Sequence, residues 1–283
     1  MQSKQFRDVR PARPAAGYIG GKKQLAALII ERIEATPHEL YAEPFVGMGG
    51  VFLRRTRAPK SEVINDRSGD VANFFRVLQR HYDPFMDMLR WQLAGRREFE
   101  RLKASDPATL TDLERAARFL YLQRLAFGGK VAGRNFGTTT TGPARFDVRK
   151  LAPILEAIHE RLAGVVIECL PWADFIGRYD RPHTLFYLDP PYWGSEDDYG
   201  RGLFGREEYA AVADALRGLQ GRFILTINDR PETRKAFAGF ARRSVGLSYT
   251  IAGGEHRRPA RELFITGPRR AQTVRLTNAR PAG

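Results

Sequence analysis

Four consecutive residues offer two acceptors and an aromatic face in one place: Asp189, Pro190, Pro191 and Tyr192. Two successive prolines fix the backbone and remove two N–H donors, so the carbonyl of Pro190 can face a ligand. This carbonyl and the Asp189 carboxylate suit an exocyclic amino group, which offers two hydrogens. Accepting both draws the nitrogen lone pair out of conjugation and stabilises positive charge developing on nitrogen. The tetrapeptide therefore suits chemistry on an amino group such as that of adenine, with the base stacked on the ring of Tyr192 rather than bound by its hydroxyl.

The element that must position this group is the apolar run that precedes it. Residues 184–188 favour a strand, and they are bounded by Pro182 and by the two prolines. Such a run predicts a buried strand of an α/β sheet. The polar residues of the tetrapeptide then lie at the carboxyl end of this strand, where open α/β sheets bind their ligands. Taken alone, the tetrapeptide suits an ordinary proline turn at a strand end equally well.

A glycine-rich turn between a predicted strand and a predicted helix is the second candidate site. Gly47 and Gly49 allow the backbone to approach a ligand closely. Phe52 stands where the dinucleotide-binding fingerprint requires its third glycine, so that fingerprint is absent. The next predicted strand, 62–66, ends in Asp66, where such folds bind ribose hydroxyls. The ligand therefore contains a ribose and need not contain a pyrophosphate, a description that S-adenosylmethionine fits.

The composition is strongly basic, with 46 Lys and Arg against 32 Asp and Glu and a formal net charge of +14. This surplus favours a polyanionic partner, most simply nucleic acid, although an arginine-rich proteome is the alternative. The single cysteine, Cys169, excludes an intramolecular disulfide and a cysteine-cluster zinc site, and we expect it to be buried in a strand. No segment reaches the about 18 apolar residues of a membrane-spanning helix. We expect a cytoplasmic protein without a metal or a membrane partner.

The order of predicted strands and helices indicates an α/β domain that a helical segment interrupts. Within that segment, Thr111 and Glu114 form a capping box that starts a helix after a break near Pro107. The predicted parts are a flexible basic arm (1–16), a catalytic domain (17–80 and 151–267), a helical insertion with a basic loop (81–150) and a disordered tail (268–283).

The loop that ends the insertion is rich in glycine and in basic residues. Between 128 and 150, five basic residues stand against one acidic residue. Arg134 and Asn135 are predicted to read base edges, and Lys130 is predicted to contact phosphate. A solvated polar loop is the alternative. The acidic residues 196–198, which follow the tetrapeptide, favour either a lid or a solvated loop.

Taken in order, these motifs resemble those of the Dam-type DNA adenine-N6 methyltransferases, and in particular their short phage and prophage members. The resemblance covers residues 17–267. The residues that carry it are Tyr18, Gly20, Gly21 and Lys22, then Glu43 to Gly47 with Gly49, then Asn65 and Asp66, and last Asp189 to Tyr192.

The resemblance implies a Rossmann-like S-adenosylmethionine-dependent methyltransferase sheet with a mainly helical target-recognition insertion. It implies catalytic roles for Asp189, Pro190 and Tyr192. The residues implied to bind the cofactor are Tyr18, Gly21, Lys22, Phe45, Gly47, Gly49, Asp66, Phe175 and Asp189. The residues predicted to bind DNA are Arg124, Phe127, Lys130, Arg134, Asn135, Arg257 and Arg258.

At Gly128 the family has an asparagine, and the arginine that follows it there is displaced to Arg134 in this chain. Because these positions set specificity, the recognition sequence stays open. We expect a site-specific enzyme, of restriction-modification or phage type, that methylates N6 of an extruded adenine in double-stranded DNA as a monomer or as a dimer on DNA.

Three alternatives remain: N6 methylation of RNA, N4 methylation of cytosine, and a catalytically silent DNA-binding protein of the same fold. Family members that methylate cytosine usually carry serine in place of Asp189. The presence of Lys22, Asp66 and Asp189 argues against a silent protein, which need not keep three polar ligand positions.

Overall fold

The computed structural model describes residues 6–267 apart from 19, 21, 23, 138–141, 200, 201, 203 and 251–256. For 197, 199, 247–250 and 257–260 it describes the backbone only. The predicted tail and Gly21 therefore lie outside the described residues, as do the side chains of Arg257 and Arg258.

Within these residues, strands and helices alternate over much of the chain. The strands are β1 (Arg7–Asp8), β2 (Leu40–Glu43), β3 (Arg57–Ala58), β4 (Ser61–Asn65), β5 (Val166–Glu168), β6 (Thr184–Leu188), β7 (Arg222–Asn228), β8 (Ala241–Thr250) and β9 (Arg257–Gly267). The helices are α1 (Ala26–Ala35), α2 (Gly69–Arg80), α3 (Tyr82–Leu89), α4 (Arg96–Ala104), α5 (Asp112–Leu125), α6 (Val148–Arg161), α7 (Trp172–Tyr179), α8 (Glu208–Gly218) and α9 (Pro231–Ala236).

The main sheet has the strand order β5-β4-β2-β6-β7-β9-β8. Strands β5, β4, β2, β6 and β7 are parallel, whereas β9 runs antiparallel to both β7 and β8. The chain proceeds outward from β2 to β4 and β5 on one side, then returns to place β6 against the other side of β2. The predicted α/β fold is thereby confirmed, and the pair β2 and β6 forms its topological switch point.

Strand β6 is buried along its whole length, as its apolar run predicted. Its side chains alternate between two cores, as the two-residue period of a strand requires. Leu185 and Tyr187 belong to the core that contains the insertion helices, whereas Phe186 and Leu188 belong to the core beneath α7 and α8. The strand that carries the tetrapeptide is therefore held from both faces.

Helices α3, α4 and α5 occupy most of the predicted insertion. Helices α3 and α5 pack on α2, where the Phe74 ring lies 6.2 Å from Phe85 and 5.7 Å from Phe119, and α4 packs on α5. The predicted capping box is confirmed, since Glu114 N donates to Thr111 Oγ1 at 3.3 Å and Thr111 N donates to Glu114 Oε2 at 2.9 Å. The insertion is thus a helical layer on the sheet domain.

The arm predicted over 1–16 is packed against the domain over residues 6–16. Strand β1 pairs with β3, and the N–H of Ala12 donates to the Leu53 carbonyl at 2.7 Å. Ala12, Ala15 and Ala16 are buried. The prediction weighed the basic side chains and missed that small alanines let this backbone lie directly on the core.

Cys169 is exposed, because it lies after the short edge strand β5 rather than within it. The expectation of a buried thiol was wrong. Among the described residues, none of the helices combines the length and the apolar character that a membrane crossing requires.

Candidate active site

The carboxyl ends of the central parallel strands bring polar side chains to one edge of the sheet. Glu43 ends β2, Asp66 follows β4, Asp189 follows β6 and Asn228 ends β7. Since β2 and β6 are neighbours, Glu43 and Asp189 flank the switch point, where open α/β sheets bind ligands. The sequence motifs, which lie far apart along the chain, therefore meet at one place.

A cavity of about 820 Å³ opens at this edge. Its lining includes six residues predicted to bind a cofactor: Tyr18, Lys22, Phe45, Gly47, Asp66 and Asp189. It also includes Glu43 and Trp172, which sequence reasoning did not place in the site. The predicted cofactor residues that lie far apart in sequence are thus brought together around one space.

The two predicted glycines serve different purposes in the turn after β2. Gly47 lines the cavity with φ of 50°, and a Cβ there would lie 3.1 Å from the ring of Tyr18. Gly49 has φ of 74°, and a Cβ there would lie 2.8 Å from Cγ of Leu53. Gly49 is not among the lining residues, so it shapes the turn against the core rather than touching the cavity.

Asp66 is bound to the backbone on both of its oxygens. Its Oδ2 accepts the N–H of Gly47 at 2.9 Å, and its Oδ1 accepts the N–H of Ser68 at 2.9 Å. Burial raises the pKa of Asp66 to about 6, although these two hydrogen bonds oppose the shift. At neutral pH the carboxylate is thus an anion at the cavity wall, where it can accept further donors.

Phe175 does not line the cavity, contrary to the prediction. The sequence 171–175, which follows the predicted strand 165–170, suggests a polar strand end, but helix α7 begins there and Phe175 is fully buried in the core beneath it. Pro171, Trp172 and Ala173 line the cavity instead. The helical turn directs Phe175 into the core and exposes its preceding neighbours, which a reading in the period of a strand cannot foresee.

Lys22 lies at the centre of a buried network beside the tetrapeptide. Its Nζ lies 2.6 Å from Asp189 Oδ1 and 2.9 Å from Glu262 Oε1, and it donates to the hydroxyl of Tyr192 at 2.7 Å. The Lys22 side chain is 2% exposed. Burial alone would lower the pKa of Lys22, but the two carboxylates outweigh it and raise the pKa. Lys22 is therefore a permanent cation.

Asp189 receives its bonds from Lys22 and from Thr226, whose hydroxyl donates at 3.3 Å; both bind Oδ1. Burial raises the pKa of Asp189 to about 6, with Lys22 opposing and Glu262 reinforcing the shift. Among the described residues no further donor reaches this carboxylate, so Oδ2 is left as an acceptor. The side chain is 20% exposed.

The sequence assigned the ring of Tyr192, and not its hydroxyl, to the base, and it did not foresee that the hydroxyl has partners within the protein. The hydroxyl accepts from Lys22 and donates to Glu262 Oε2 at 2.7 Å. Glu262, on β9, has a side chain 2% exposed and was missed. The available signal was an acid at the start of the apolar run 263–265, where only a paired carboxylate can be buried.

A second cavity, of about 580 Å³, lies on the other side of this network. Its lining includes Tyr192, Trp193, Asn228 and Glu262. The N–H of Trp193 donates to Asn228 Oδ1 at 3.0 Å, and Asn228 Nδ2 donates back to the Trp193 carbonyl at 3.0 Å. Two cavities therefore meet at the tetrapeptide, with Asp189 on the first and Tyr192 on the second.

The predicted DNA-binding side chains of the insertion differ in their surroundings. Phe127, Lys130 and Asn135 are exposed. Arg134 is turned inward, since Nη2 donates to Gln123 Oε1 at 3.0 Å and the guanidinium lies 5.7 Å from the Phe119 ring. This position does not suit the predicted reading of base edges.

Arg124 lines the first cavity. It donates to the carbonyl of Ala15 at 3.1 Å and to that of Arg145 at 2.9 Å. Arg124 therefore joins the N-terminal segment to the end of the insertion.

The loop 127–137 contacts the rest of the site through its backbone. The N–H of Ala132 donates to the carbonyl of Asp198 at 3.2 Å, in the acidic segment that follows the tetrapeptide. Gln123 Nε2, near the end of α5, donates to the carbonyls of Gly17 at 2.9 Å and of Gly129, in the loop, at 2.8 Å. The loop is thus tied both to the first cavity and to the segment beside the second.

Comparison with known proteins gives one family for this chain. The family model described as D12 class N6 adenine-specific DNA methyltransferase matches residues 18–251. A type II methyltransferase of Lactococcus lactis subsp. cremoris, M1.LlaDCHI, is 26% identical over 76% of this chain and 81% of its own length. The DNA adenine methylase of Haemophilus influenzae is 23% identical over 87% of this chain and 90% of its own, and that of Escherichia coli K12 is 25% identical over 69% and 73%.

Proposed function

This chain belongs to the D12 class of N6 adenine-specific DNA methyltransferases, and from that premise we propose that it transfers a methyl group from S-adenosylmethionine to N6 of an adenine extruded from double-stranded DNA. The observation that carries the proposal is the position of Asp189. It follows a fully buried central strand at the switch point of the sheet, and among the described residues no donor takes its second carboxylate oxygen, which is left as an acceptor at the wall of the first cavity.

The residues of the first cavity fit S-adenosylmethionine. Its volume lies within the about 300–1,000 Å³ of small-molecule pockets. Asp66 offers a carboxylate directly after β4, which is the next strand of the main sheet along the chain after β2. This is the position that binds ribose hydroxyls in related sheets. Gly47 leaves room beside the ring of Tyr18 that a Cβ would fill. Asp66, Tyr18 and Phe45 would hold the nucleoside part, and when bound the cofactor supplies a methyl group on a positively charged sulfur that keeps the C–S electron pair.

The second cavity is assigned to the adenine. An amino group within the double helix is not accessible to a bound methyl donor, so the base must leave the stack at a cost of a few kcal/mol. The ring of Tyr192, at the wall of this cavity, would offer a stacking face worth about 1–3 kcal/mol. The free energy gained by stacking the adenine on Tyr192 is then comparable with the free energy that its extrusion costs.

Asp189 and the carbonyl of Pro190 would each accept one hydrogen of the amino group. As the new N–C bond forms from the nitrogen lone pair, the nitrogen becomes positively charged, and one of its two protons must then leave. Asp189 Oδ2 would stabilise this charge in the transition state and take the departing proton, which passes on to solvent. Because the pKa of Asp189 is about 6, the group is ionised and ready to accept at neutral pH.

Phosphates of the DNA would be bound by the basic surface of the chain. Lys130 and Asn135 are exposed on the loop 127–137 and offer donors there. Such contacts position the duplex without reading its sequence. The inward position of Arg134 supports a role in shaping this loop rather than in contacting a base.

The test is direct methylation of defined nucleic acids. Purified protein is incubated with labelled S-adenosylmethionine and unmethylated double-stranded DNA, the product is digested to nucleosides, and these are separated by mass spectrometry. We expect N6-methyldeoxyadenosine from the wild type and none from Asp189→Ala. Label found in N4-methylcytosine, or found in adenine only when RNA is supplied, would show that the substrate differs from the one proposed. Binding of DNA without any transfer or any cofactor binding would identify a silent protein.

A further inference from the structure

The carboxylate of Glu262 is buried beside the proposed reaction centre. It is not one of the two groups, Asp189 and the carbonyl of Pro190, that would accept the hydrogens of the amino group. It is held by Lys22 Nζ at 2.9 Å and by the Tyr192 hydroxyl at 2.7 Å. A buried carboxylate costs several kcal/mol of desolvation unless it is paired. Lys22 could be neutralised by Asp189 alone, so the fold does not need Glu262 for that pairing. Its presence calls for another explanation.

The hydrogens of the network fix its direction. The ammonium of Lys22 has three donors and no acceptor. Its three shortest contacts are Asp189 Oδ1 at 2.6 Å, the hydroxyl of Tyr192 at 2.7 Å and Glu262 Oε1 at 2.9 Å, whereas the carbonyl of Gly20 lies farther away at 3.4 Å. Because that hydroxyl accepts from Lys22, its own hydrogen goes to Glu262. The Glu262 carboxylate therefore binds the same Lys22 ammonium as Asp189. Through the Tyr192 hydroxyl it also orients the Tyr192 ring at the second cavity.

The charges of the cluster sum to −1, since one ammonium lies between two carboxylates. Without Glu262, Lys22 and Asp189 would form a neutral pair, and the Asp189 carboxylate would be a weaker acceptor. With Glu262 present, the positive charge of Lys22 is shared between two carboxylates and neutralises Asp189 less completely. The cluster then keeps a full negative charge next to the atom that becomes positive during methyl transfer.

We propose that Glu262 is a positioning residue for methyl transfer, which shares Lys22 with Asp189 so that Asp189 stays a strong acceptor, and which holds Tyr192 through its hydroxyl. This inference rests on the proposed function and adds to it a residue outside the tetrapeptide. Glu262 lines the second cavity, but its carboxylate oxygens are bound by Lys22 and by the Tyr192 hydroxyl, so it acts through these two residues.

Other groups near Asp189 do not supply this effect. Thr226 donates a neutral hydroxyl bond to Oδ1, and its own oxygen is shared with Tyr187 at 2.9 Å. Glu43, on the neighbouring strand, has a pKa raised to about 8 by burial, although the hydrogen bond from Tyr41 opposes the shift. Glu43 is therefore protonated at neutral pH, and Glu262 is left as the second anion beside Lys22.

The experiment measures the single-turnover rate of adenine methylation against pH at saturating cofactor and DNA. For Glu262→Gln we expect the plateau to fall by about ten-fold to a hundred-fold. The acid midpoint should move down by about one pH unit or more, because a like charge near Asp189 is lost. For Lys22→Gln the midpoint should move up, since two carboxylates then face each other. Glu262→Asp, which restores the charge, should return the midpoint toward that of the wild type.

Binding measurements separate this role from a structural one. Titration with S-adenosylhomocysteine, which lacks the sulfonium charge, should give the same Kd for wild type and Glu262→Gln. The control Asp214→Asn removes an exposed carboxylate on α8, away from both cavities, and should leave the rate and the midpoint unchanged.

Two results would overturn the proposal. One is a Glu262→Gln profile identical to that of the wild type, and the other is a loss of rate that only accompanies a loss of affinity for S-adenosylhomocysteine. If Glu262→Gln does not fold, a Lys22→Gln midpoint that fails to rise overturns it as well. Absence of methylation by the wild type would instead refute the proposed function, before any variant is compared.

Discussion

The carboxylate of Asp66, at the end of β4, accepts the backbone N–H of Gly47 in the turn that follows β2, at 2.9 Å. One side chain thus joins the two strand ends that form the wall of the first cavity. Its other oxygen accepts the N–H of Ser68, just before α2. The group proposed to bind the ribose is therefore also part of the frame of the site.

Asp66→Ala is expected to weaken S-adenosylmethionine binding by about ten-fold or more, because hydrogen bonds to charged groups contribute about 1.5–3 kcal/mol. It should also lower the Tm of the free protein, since two backbone N–H groups lose their acceptor. Asp66→Asn keeps the shape and one acceptor, so it should recover much of the Tm while affinity stays low. Calorimetric titration and thermal unfolding measure the two effects, and an unchanged Kd would remove Asp66 from the cofactor site.

Asp189→Ala is expected to abolish turnover and to leave the Tm close to that of the wild type, because Lys22 keeps Glu262 and Tyr192 as partners. Asp189→Asn should be severely impaired as well, since its amide presents donors to the amino hydrogens. In the wild type the acceptor must be ionised, and its folded pKa is about 6. The rate should therefore fall as the pH falls through about 6, and a flat profile there would contradict the role of Asp189.

Tyr192→Phe is expected to separate the ring from the hydroxyl. The ring remains for stacking, so the fluorescence of 2-aminopurine at the target position should still rise on binding. Turnover should fall by about ten-fold, because leaving a buried partner unsatisfied costs about 1–3 kcal/mol. Tyr192→Ala should lose both extrusion and turnover.

The matched control for the hydroxyl is Tyr179→Phe, which removes a hydroxyl bonded to Glu168 at 2.7 Å, away from both cavities. It should change neither signal. Because stacking itself quenches part of the fluorescence, each variant is measured with and without cofactor. Equal turnover for Tyr, Phe and Ala at 192 would refute both roles.

Lys130→Gln and Arg134→Gln should differ in kind, although each removes one positive charge from the same loop. If ~5 phosphates are neutralised, log K should fall with log salt at a slope near −4.5, and Lys130→Gln should reduce its magnitude by ~0.9. Arg134→Gln should instead lower the Tm, because its guanidinium is bound to Gln123 inside the insertion. A slope near zero for the wild type would mean that the net charge of +14 is compositional.

Glu43→Gln is expected to stabilise the free protein at alkaline pH. The folded pKa of Glu43 is about 8, raised by burial from an ordinary 4.5. Between these two pH values the folded state holds a proton on Glu43 that the unfolded state has released. The free energy of unfolding therefore falls as the pH rises, and the loss due to Glu43 is complete above about pH 8. Glutamine removes this loss, which amounts to at most about 5 kcal/mol. Denaturant unfolding at about pH 5 and about pH 9 should show a gain at the higher pH only.

Much of this site was predictable from local patterns in the sequence. The apolar run 184–188 identified the central strand, and the polar residues after the strands met at one edge because parallel strands end together. The capping box at Thr111 marked the start of α5 correctly. In each case a few neighbouring residues fix the backbone, so the sequence carries the information locally.

What was missed depends on contacts between distant parts of the chain. Glu262 reaches Lys22 only because β9 inserts antiparallel beside β7, a pairing that no local pattern specifies. That contact in turn gives the Tyr192 hydroxyl its partner. Arg134 was assigned to DNA from its charge, whereas the buried acceptor on Gln123 draws it inward. Phe175 was misplaced because a short amphipathic helix was read as a strand end.

The hydrogen bond from Ala132 to the carbonyl of Asp198 has a consequence for protein engineering. A graft of a foreign loop over 127–137, made to retarget the enzyme to another sequence, would disconnect the segment that follows Tyr192 unless its backbone offered the same donor. Retargeting should therefore succeed when 127–137 and 194–199 are transplanted together from one parent, and chimaeras that mix parents at these two segments should bind their new sequence but methylate it slowly.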